Sequence, residues 1–136
     1  MRKTYVFASI LAGLAVGALA QVDPRADEYR GWMQSIQPGV RSLTTNINGK
    51  MGDAAAADAD KLDATFEQVE DFWGQRNVQD AVTFVQTARK ALRAISKEAK
   101  AGDTDAALAD LKTLQSACAG CHMAHREGTA GSFKIK

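Results

Sequence analysis

Along residues 23–127 the apolar side chains return every third or fourth position, and no stretch alternates apolar with polar as a half-buried strand does. This periodicity predicts four amphipathic helices. The first opens at Asp23-Pro24, a candidate N-cap followed by proline at the first helical position. Its stripe is Tyr29, Trp32, Met33, Ile36, Val40, Leu43 and Ile47, and it stops near Asn48-Gly49. Pro38-Gly39 lies within it. Proline removes a backbone donor and crowds the preceding turn, so a kink or local break is expected there. The second helix begins after Gly52-Asp53 and runs to about Gly74, with Leu62, Phe66, Val69 and Trp73 on one face and Phe72 beside them. Its start, Ala54-Ala55-Ala56-Ala57, favours helix but offers little to pack. The third runs from Asn77 to about Ala101 on a face of Val78, Val82, Val85, Leu92, Ile95 and Ala99, and Gly102 ends it. The fourth begins at Asp103 or Thr104 and carries Leu108, Leu111, Leu114, Cys118, Cys121 and His122. Gly128 and Gly131 mark a loose tail over residues 128–136.

The links between these segments are short. Short links between long amphipathic helices favour antiparallel neighbours, so the expected fold is all-α, an antiparallel up-down four-helix bundle. Such bundles hold cofactors between facing side chains. Positions 111, 114, 118 and 121/122 keep the three-and-four rhythm of a buried face, which turns Cys118, Cys121 and His122 toward the other helices. Trp32, Phe66, Phe72, Trp73 and Phe84 sit on helical stripes and read as core first and as pocket lining second. Phe66 and Trp73 are the leading core candidates.

The first twenty residues follow a different rule. Arg2 and Lys3 precede an uncharged apolar stretch from Tyr5 to Gly17, which ends in Ala18-Leu19-Ala20 before Gln21. A positive start, an apolar run and an A-x-A site form the pattern of a secretory signal peptide. The run is shorter than the roughly 20 residues of a spanning helix. Residues 1–20 are therefore read as a cleaved signal and residues 21–136 as one domain, soluble and periplasmic or otherwise exported. No later segment is apolar enough to span a membrane. Charge adds a further exclusion. Without Arg2 and Lys3 the 17 basic residues fall to 15, against 16 acidic ones, so no polyanion-binding surface and no nucleic-acid partner is expected.

The chemistry is concentrated in C-A-G-C-H, residues 118–122, which holds both cysteines of the chain. A disulfide here would close a tiny loop that constrains the unfolded chain little, and would leave His122 unexplained. Structural zinc needs four ligands, and only Cys118, Cys121, His122 and His125 are on offer within one helix and its end. A thioredoxin-like dithiol belongs in a βαβ setting, which the periodicity does not support. C-x-x-C-H is the attachment sequence of c-type haem. Each thiol adds across one vinyl group, and the two intervening residues let one turn of chain reach both. His122 then comes under the iron as an axial imidazole. The expectation is one haem c per chain, near one end of the bundle, with thioethers at Cys118 and Cys121 and His122 as proximal iron ligand.

An exported four-helix bundle with C-x-x-C-H on its last helix resembles the class II c-type cytochromes, cytochrome c′ and its low-spin relatives. The likeness covers residues 23–127 as architecture and 118–126 at residue level. That family often has an aromatic residue three positions after the haem histidine and Arg or Lys four after. Here His125 departs from the pattern and Arg126 fits it. Tyr29-Arg30 and Trp32-Met33 in the first helix are also family-like.

The resemblance implies an electron carrier that works with redox partner proteins and is not an enzyme. It also implies a distal residue from the first helix, for which Met33 is the candidate iron ligand. The plainer role for Met33 is core packing. A bound methionine would give six-coordinate, low-spin iron with a raised potential. An empty distal position would give a five-coordinate, cytochrome c′-like protein that binds nitric oxide or carbon monoxide. Both remain open at the level of sequence. Met51 and Met123 are weaker candidates, the first because it lies near the end of the first helix, the second because it shares the turn of the proximal histidine. Arg126 is expected to contact a haem propionate or the proximal imidazole, or to be an exposed helix-end arginine. His125 is expected at the surface or on the propionate side. This fold also admits a homodimer through its first two helices, although the alanine-rich start of the second shows no clear interface.

Overall fold

A computed structural model describes Asp23 and residues 25–136; Pro24 and the expected signal peptide lie outside the described residues. Four helices follow one another: α1 (Ala26–Asn48), α2 (Gly52–Gly74), α3 (Gln79–Ala101) and α4 (Thr104–His125). Two short strands come after them, β1 (Arg126–Glu127) and β2 (Lys134–Ile135). α2 packs along α3, α3 along α4 and α1 along α2, while α1 meets α4 only lightly. With links confined to residues 49–51, 75–78 and 102–103, successive helices run antiparallel, and the molecule is the expected four-helix bundle. Among the described residues, no helix is long and apolar enough to cross a membrane.

Local chemistry sets the helix ends. The Asp103 carboxylate accepts the Ala106 N–H at 3.1 Å, as an N-cap does. Gly102 closes α3 in the left-handed region at φ 74°, where a side chain would be strained. Asp23 acts just ahead of α1: its side chain accepts the Arg25 N–H at 2.9 Å and its carbonyl accepts that of Ala26 at 3.1 Å. The helix therefore starts two residues, about half a turn, later than the Asp23-Pro24 signal suggests.

Of the kink or local break expected at Pro38-Gly39, the break does not form: α1 stays helical from end to end. Pro38 and Gln34 are both exposed, so the carbonyl freed by the missing bond lies on the solvent side. Gly39 has a packing reason. A Cβ there would lie 2.8 Å from Leu62 Cδ2, so the bare position lets α2 come close to α1.

The two ends of the bundle are packed differently. At the end where α2 begins, Ala55, Ala56 and Ala59 are fully buried beside Ala99 and Ala107. A Cβ on Gly52 would come within 2.4 Å of the Ala99 carbonyl oxygen. The alanine run that looked unpromising in sequence is thus a close-approach surface. At the other end the space between helices is filled by large rings, among them Phe66, Phe72 and Trp73. Residues 126–136 form an antiparallel pair with Arg126 opposite Ile135 and Glu127 opposite Lys134. Gly128 and Gly131 turn the chain at φ 93° and 87°, and Ile135 packs against the core. Strands of two residues are too short to reveal themselves by alternation, which is why only a loose tail was expected.

One charged cluster ties α2 to α3. The Arg89 guanidinium reaches Asp63 at 2.8 Å, Glu70 at 2.7 Å and Glu67 at 3.3 Å, and Arg93 adds a second bond to Asp63 at 2.9 Å. Burial alone would push the Asp63 and Glu70 carboxyls up. Their bonds to Arg89 outweigh it, helped by Arg93 at Asp63 and Gln86 at Glu70, and hold both below the usual range. A carboxyl depressed in the folded state stabilises above the unfolded-state pKa and loses that contribution as the pH falls. Arg89→Met should lower stability at pH 7 by about 1–3 kcal/mol, since it takes the main partner from two partly buried carboxylates and leaves Asp63 only Arg93 and Glu70 only Gln86. The gap between variant and wild type should narrow below roughly pH 4. Urea midpoints at pH 7 and pH 3 check both statements.

Candidate functional site

The first turns of α1, the last of α2, the first of α3 and the last of α4 meet at the ring-filled end. Tyr29 of α1 lies 4.5 Å from Phe72 and 5.7 Å from Trp73 of α2, centroid to centroid. Trp32 adds edge-on contacts to Tyr29 and Phe72, each at 6.4 Å. His125 of α4 places its ring 5.0 Å from Trp73 and its Nε2 2.9 Å from Asp80 Oδ2 of α3.

α4 is one continuous helix through C-A-G-C-H. Cys121 is buried and Cys118 and His122 are half-buried, while Ala119 and Met123 face out. The inward face read from the periodicity is therefore the one observed. Gly120 between the cysteines has a specific role: a Cβ there would lie 2.5 Å from Phe84 Cε1. The missing side chain lets the Phe84 ring of α3 rest directly on α4.

In an intact helix, Cβ atoms three residues apart are about 5–6 Å from each other. A disulfide needs roughly 3.8 Å. Both cysteines are free thiols here. Among the described residues, no three His, Cys, Asp or Glu side chains converge as metal ligands.

The electrostatics separate the uses of the motif. Burial pushes the Cys118 thiol up. Burial, helped by Cys118 and Asp80, pushes Cys121 up to about 11. The position adds to this, because the C-terminal end of a helix carries partial negative charge and disfavours a thiolate. A redox dithiol needs the reverse, a depressed pKa of the kind found at helix N-termini. His122 is pushed below its ordinary value, first by burial and then by the Arg126 charge. It is thereby kept neutral, the form that donates a lone pair to a metal.

Tyr29 is pushed up to about 12 by burial and by the neighbouring Cys121, with Trp73 and Arg126 drawing it partly back. Tyr29 of α1 thus lies near enough to Cys121 of α4 for the one to act electrostatically on the other. The Trp73 indole N–H is buried there with no acceptor among the described protein groups; the phenol is close but does not close a bond. Such orphaned donors are rare and costly in folded proteins.

The other expected residues fall as follows. Met33 is half-buried, one turn beyond Tyr29 on the inner side of α1, and packs against the core. Met51 is 47% exposed at the opposite end of the bundle, and Met123 is 79% exposed on the outer side of α4. Arg126 lies just past the helix with its guanidinium 4.0 Å over the Phe133 ring, close enough for its charge to be felt at His122. His125 is neither a surface group nor free: it is held between Trp73 and Asp80.

Three features escaped the sequence reading. Asp80 looks like an ordinary acidic first-turn residue, and nothing in its spacing links it to residues more than forty positions away. Tyr29 as the partner of Cys121 gave no signal of its own. Gly120 did give one, since glycine inside a helix costs about 1 kcal/mol relative to alanine and asks for a packing reason.

In the haem-free folded chain, Cys121 should react with iodoacetamide at pH 8 on the order of a hundredfold more slowly than in the urea-unfolded chain. Site-resolved mass spectrometry reads the two rates, and equal rates would contradict the burial of the thiol. Among known families, curated proteins and solved structures, none matches this chain.

Proposed function

We propose that this chain is an exported electron-transfer cytochrome of the class II kind. One haem c is attached at Cys118 and Cys121, with His122 as proximal ligand and Met33 as distal ligand. A single observation carries the reading: C-A-G-C-H lies on the inward face of an unbroken α4, with Cys121 buried and Cys118 and His122 half-buried. The residues around it suit the group. The orphaned Trp73 N–H is a donor in want of an acceptor, and a haem brings two carboxylates. α1 meets α4 only lightly, so admitting a flat group between them would cost little direct packing between those two helices. Tyr29, Trp32, Phe72 and Phe84 provide apolar walls that keep water away.

Bound there, haem supplies a one-electron couple at iron, tuned by its axial ligands and surroundings. The chain does the rest. Cys118 and Cys121 hold the cofactor by two covalent bonds, His122 presents its lone pair, and Met33 offers a thioether from the inner side of α1. Partner proteins give and take single electrons, and no bond in them is made or broken. A second reading shares every residue but Met33. The neighbours of Met33 on α1, Tyr29, Trp32 and Ile36, are apolar or aromatic. If Met33 only packs, that lining makes a pocket for nitric oxide or carbon monoxide.

Produced with residues 1–20 in a host that matures c-type cytochromes, the protein should carry one haem that survives denaturant. Cys118→Ala with Cys121→Ala should abolish the mass adduct. The reduced spectrum should be six-coordinate and indifferent to carbon monoxide, and Met33→Leu should make it responsive. An absent adduct defeats the cytochrome reading. Rapid carbon monoxide binding by the wild type selects the five-coordinate alternative.

A further inference from the structure

The last turn of any α-helix leaves carbonyls without intrahelical partners, and an end left so tends to fray. In α4 that turn contains His122. The structure ties off its carbonyls from beyond the helix. The Arg126 N–H donates to the His122 carbonyl. The Lys136 N–H donates to the His125 carbonyl at 3.0 Å. The Lys136 ammonium donates to the Met123 carbonyl, also at 3.0 Å. One residue, eleven positions past the helix, thus closes two of the three bonds.

Lys136 is brought back by devices that have no other evident use. Gly128 and Gly131 adopt left-handed conformations that few other residues tolerate. A Cβ on Gly128 would also lie 2.8 Å from the Ser132 carbonyl oxygen. The Ser132 N–H donates to the Thr129 carbonyl at 2.9 Å inside the turn. The β1–β2 pair then fixes the register, and Ile135 anchors the returning strand on the core. Arg126 is held in place by stacking on Phe133. Two cations consequently stand at the negative end of the α4 dipole, where positive charge is favourable.

We propose that residues 126–136 form a clasp on the C-A-G-C-H turn and that Lys136 is its positioning residue. By holding the Met123 and His125 carbonyls, Lys136 fixes the backbone from which His122 projects. Its ammonium also adds positive charge beside the site. The clasp itself is a property of the folded chain. Its effect on a bound iron rests on the cytochrome reading, in which added positive charge favours the ferrous over the ferric state.

Lys136→Met keeps most of the side-chain volume and removes the donor and the charge. Lys136→Arg keeps both. Hydrogen exchange should speed up by about tenfold or more over residues 119–127 in Lys136→Met, with residues 104–112 unchanged. Lys136→Arg should restore slow exchange. On the haem-loaded protein, Lys136→Met should lower the midpoint potential and Lys136→Arg should not. Unchanged exchange over 119–127, or an equal rise along all of α4, overturns the clasp. Faster exchange with an unchanged potential overturns the positioning role, because the tie would then be structural only. A missing haem adduct in the wild type defeats the cytochrome reading separately, and the exchange comparison on that same sample still decides the clasp.

Discussion

The site depends on α4 remaining helical through His125. In a helix, positions three and four apart share a face, so Cys118, Cys121 and His122 can point inward together only if the turn that carries them is intact. The opposite side of that turn then falls to Ala119 and Met123, which are exposed. The same constraint sets the acid–base character of the motif. At the C-terminal end of a helix the peptide dipoles resist a thiolate and leave the cysteines as thiols, and burial acts in the same direction. Geometry and charge together oppose both a disulfide and a thiolate nucleophile. They are compatible with thiols that add to a vinyl group and an imidazole that binds a metal.

The bundle supports this turn through a division of labour between its ends. At one end Gly52 and the alanines of α2, α3 and α4 allow the backbones to approach, and small side chains there lose little rotamer freedom on folding. That end fixes where the helix axes run. At the other end bulky rings occupy the space between the same helices, and the local rules are bent. Gly120 sits inside a helix, and the Trp73 N–H is buried without a partner. An unsatisfied buried donor costs about 1–3 kcal/mol. Departures of this kind concentrate where a protein serves something other than its own stability. These two lie on or beside C-A-G-C-H, whereas Glu98 Oε2 near the opposite end is also buried without a partner and Gly39 lies inside α1.

The architecture was legible because it rests on periodicity. The stripes that predict α2 and α3 contain Phe66, Val69, Trp73, Leu92 and Ile95, all buried as expected. Gly102 and Asp103 marked the α3–α4 boundary through chemistry that acts within a few residues. The misreadings share a cause. The exposed side of α1 tolerates Pro38 without a break, but the exposure of one carbonyl follows from how the whole helix is seated. The alanines of α2 looked bland because close approach needs a partner surface, and that surface, around Ala99, lies some forty residues away. Asp80 with His125 is the same case at the site: a pair across two helices leaves no trace in either segment.

Charge at the ring-filled end is spent locally, and this shapes what the site can feel. Asp23 pairs with Arg76, whose guanidinium also lies 3.4 Å from the centre of the Phe72 ring. Asp80 is bound to His125, and the larger Arg89 cluster belongs to α2 and α3 alone. Two cations stand at the end of α4: Arg126, held over Phe133, whose charge is felt at His122, and Lys136, whose ammonium binds the Met123 carbonyl. In a nearly neutral chain, few fixed groups therefore set the field at C-A-G-C-H. Burial supplies the largest contribution at His122 and at both thiols, and Arg126 supplies the charge at His122. A field made of so few parts is sensitive to the placement of each.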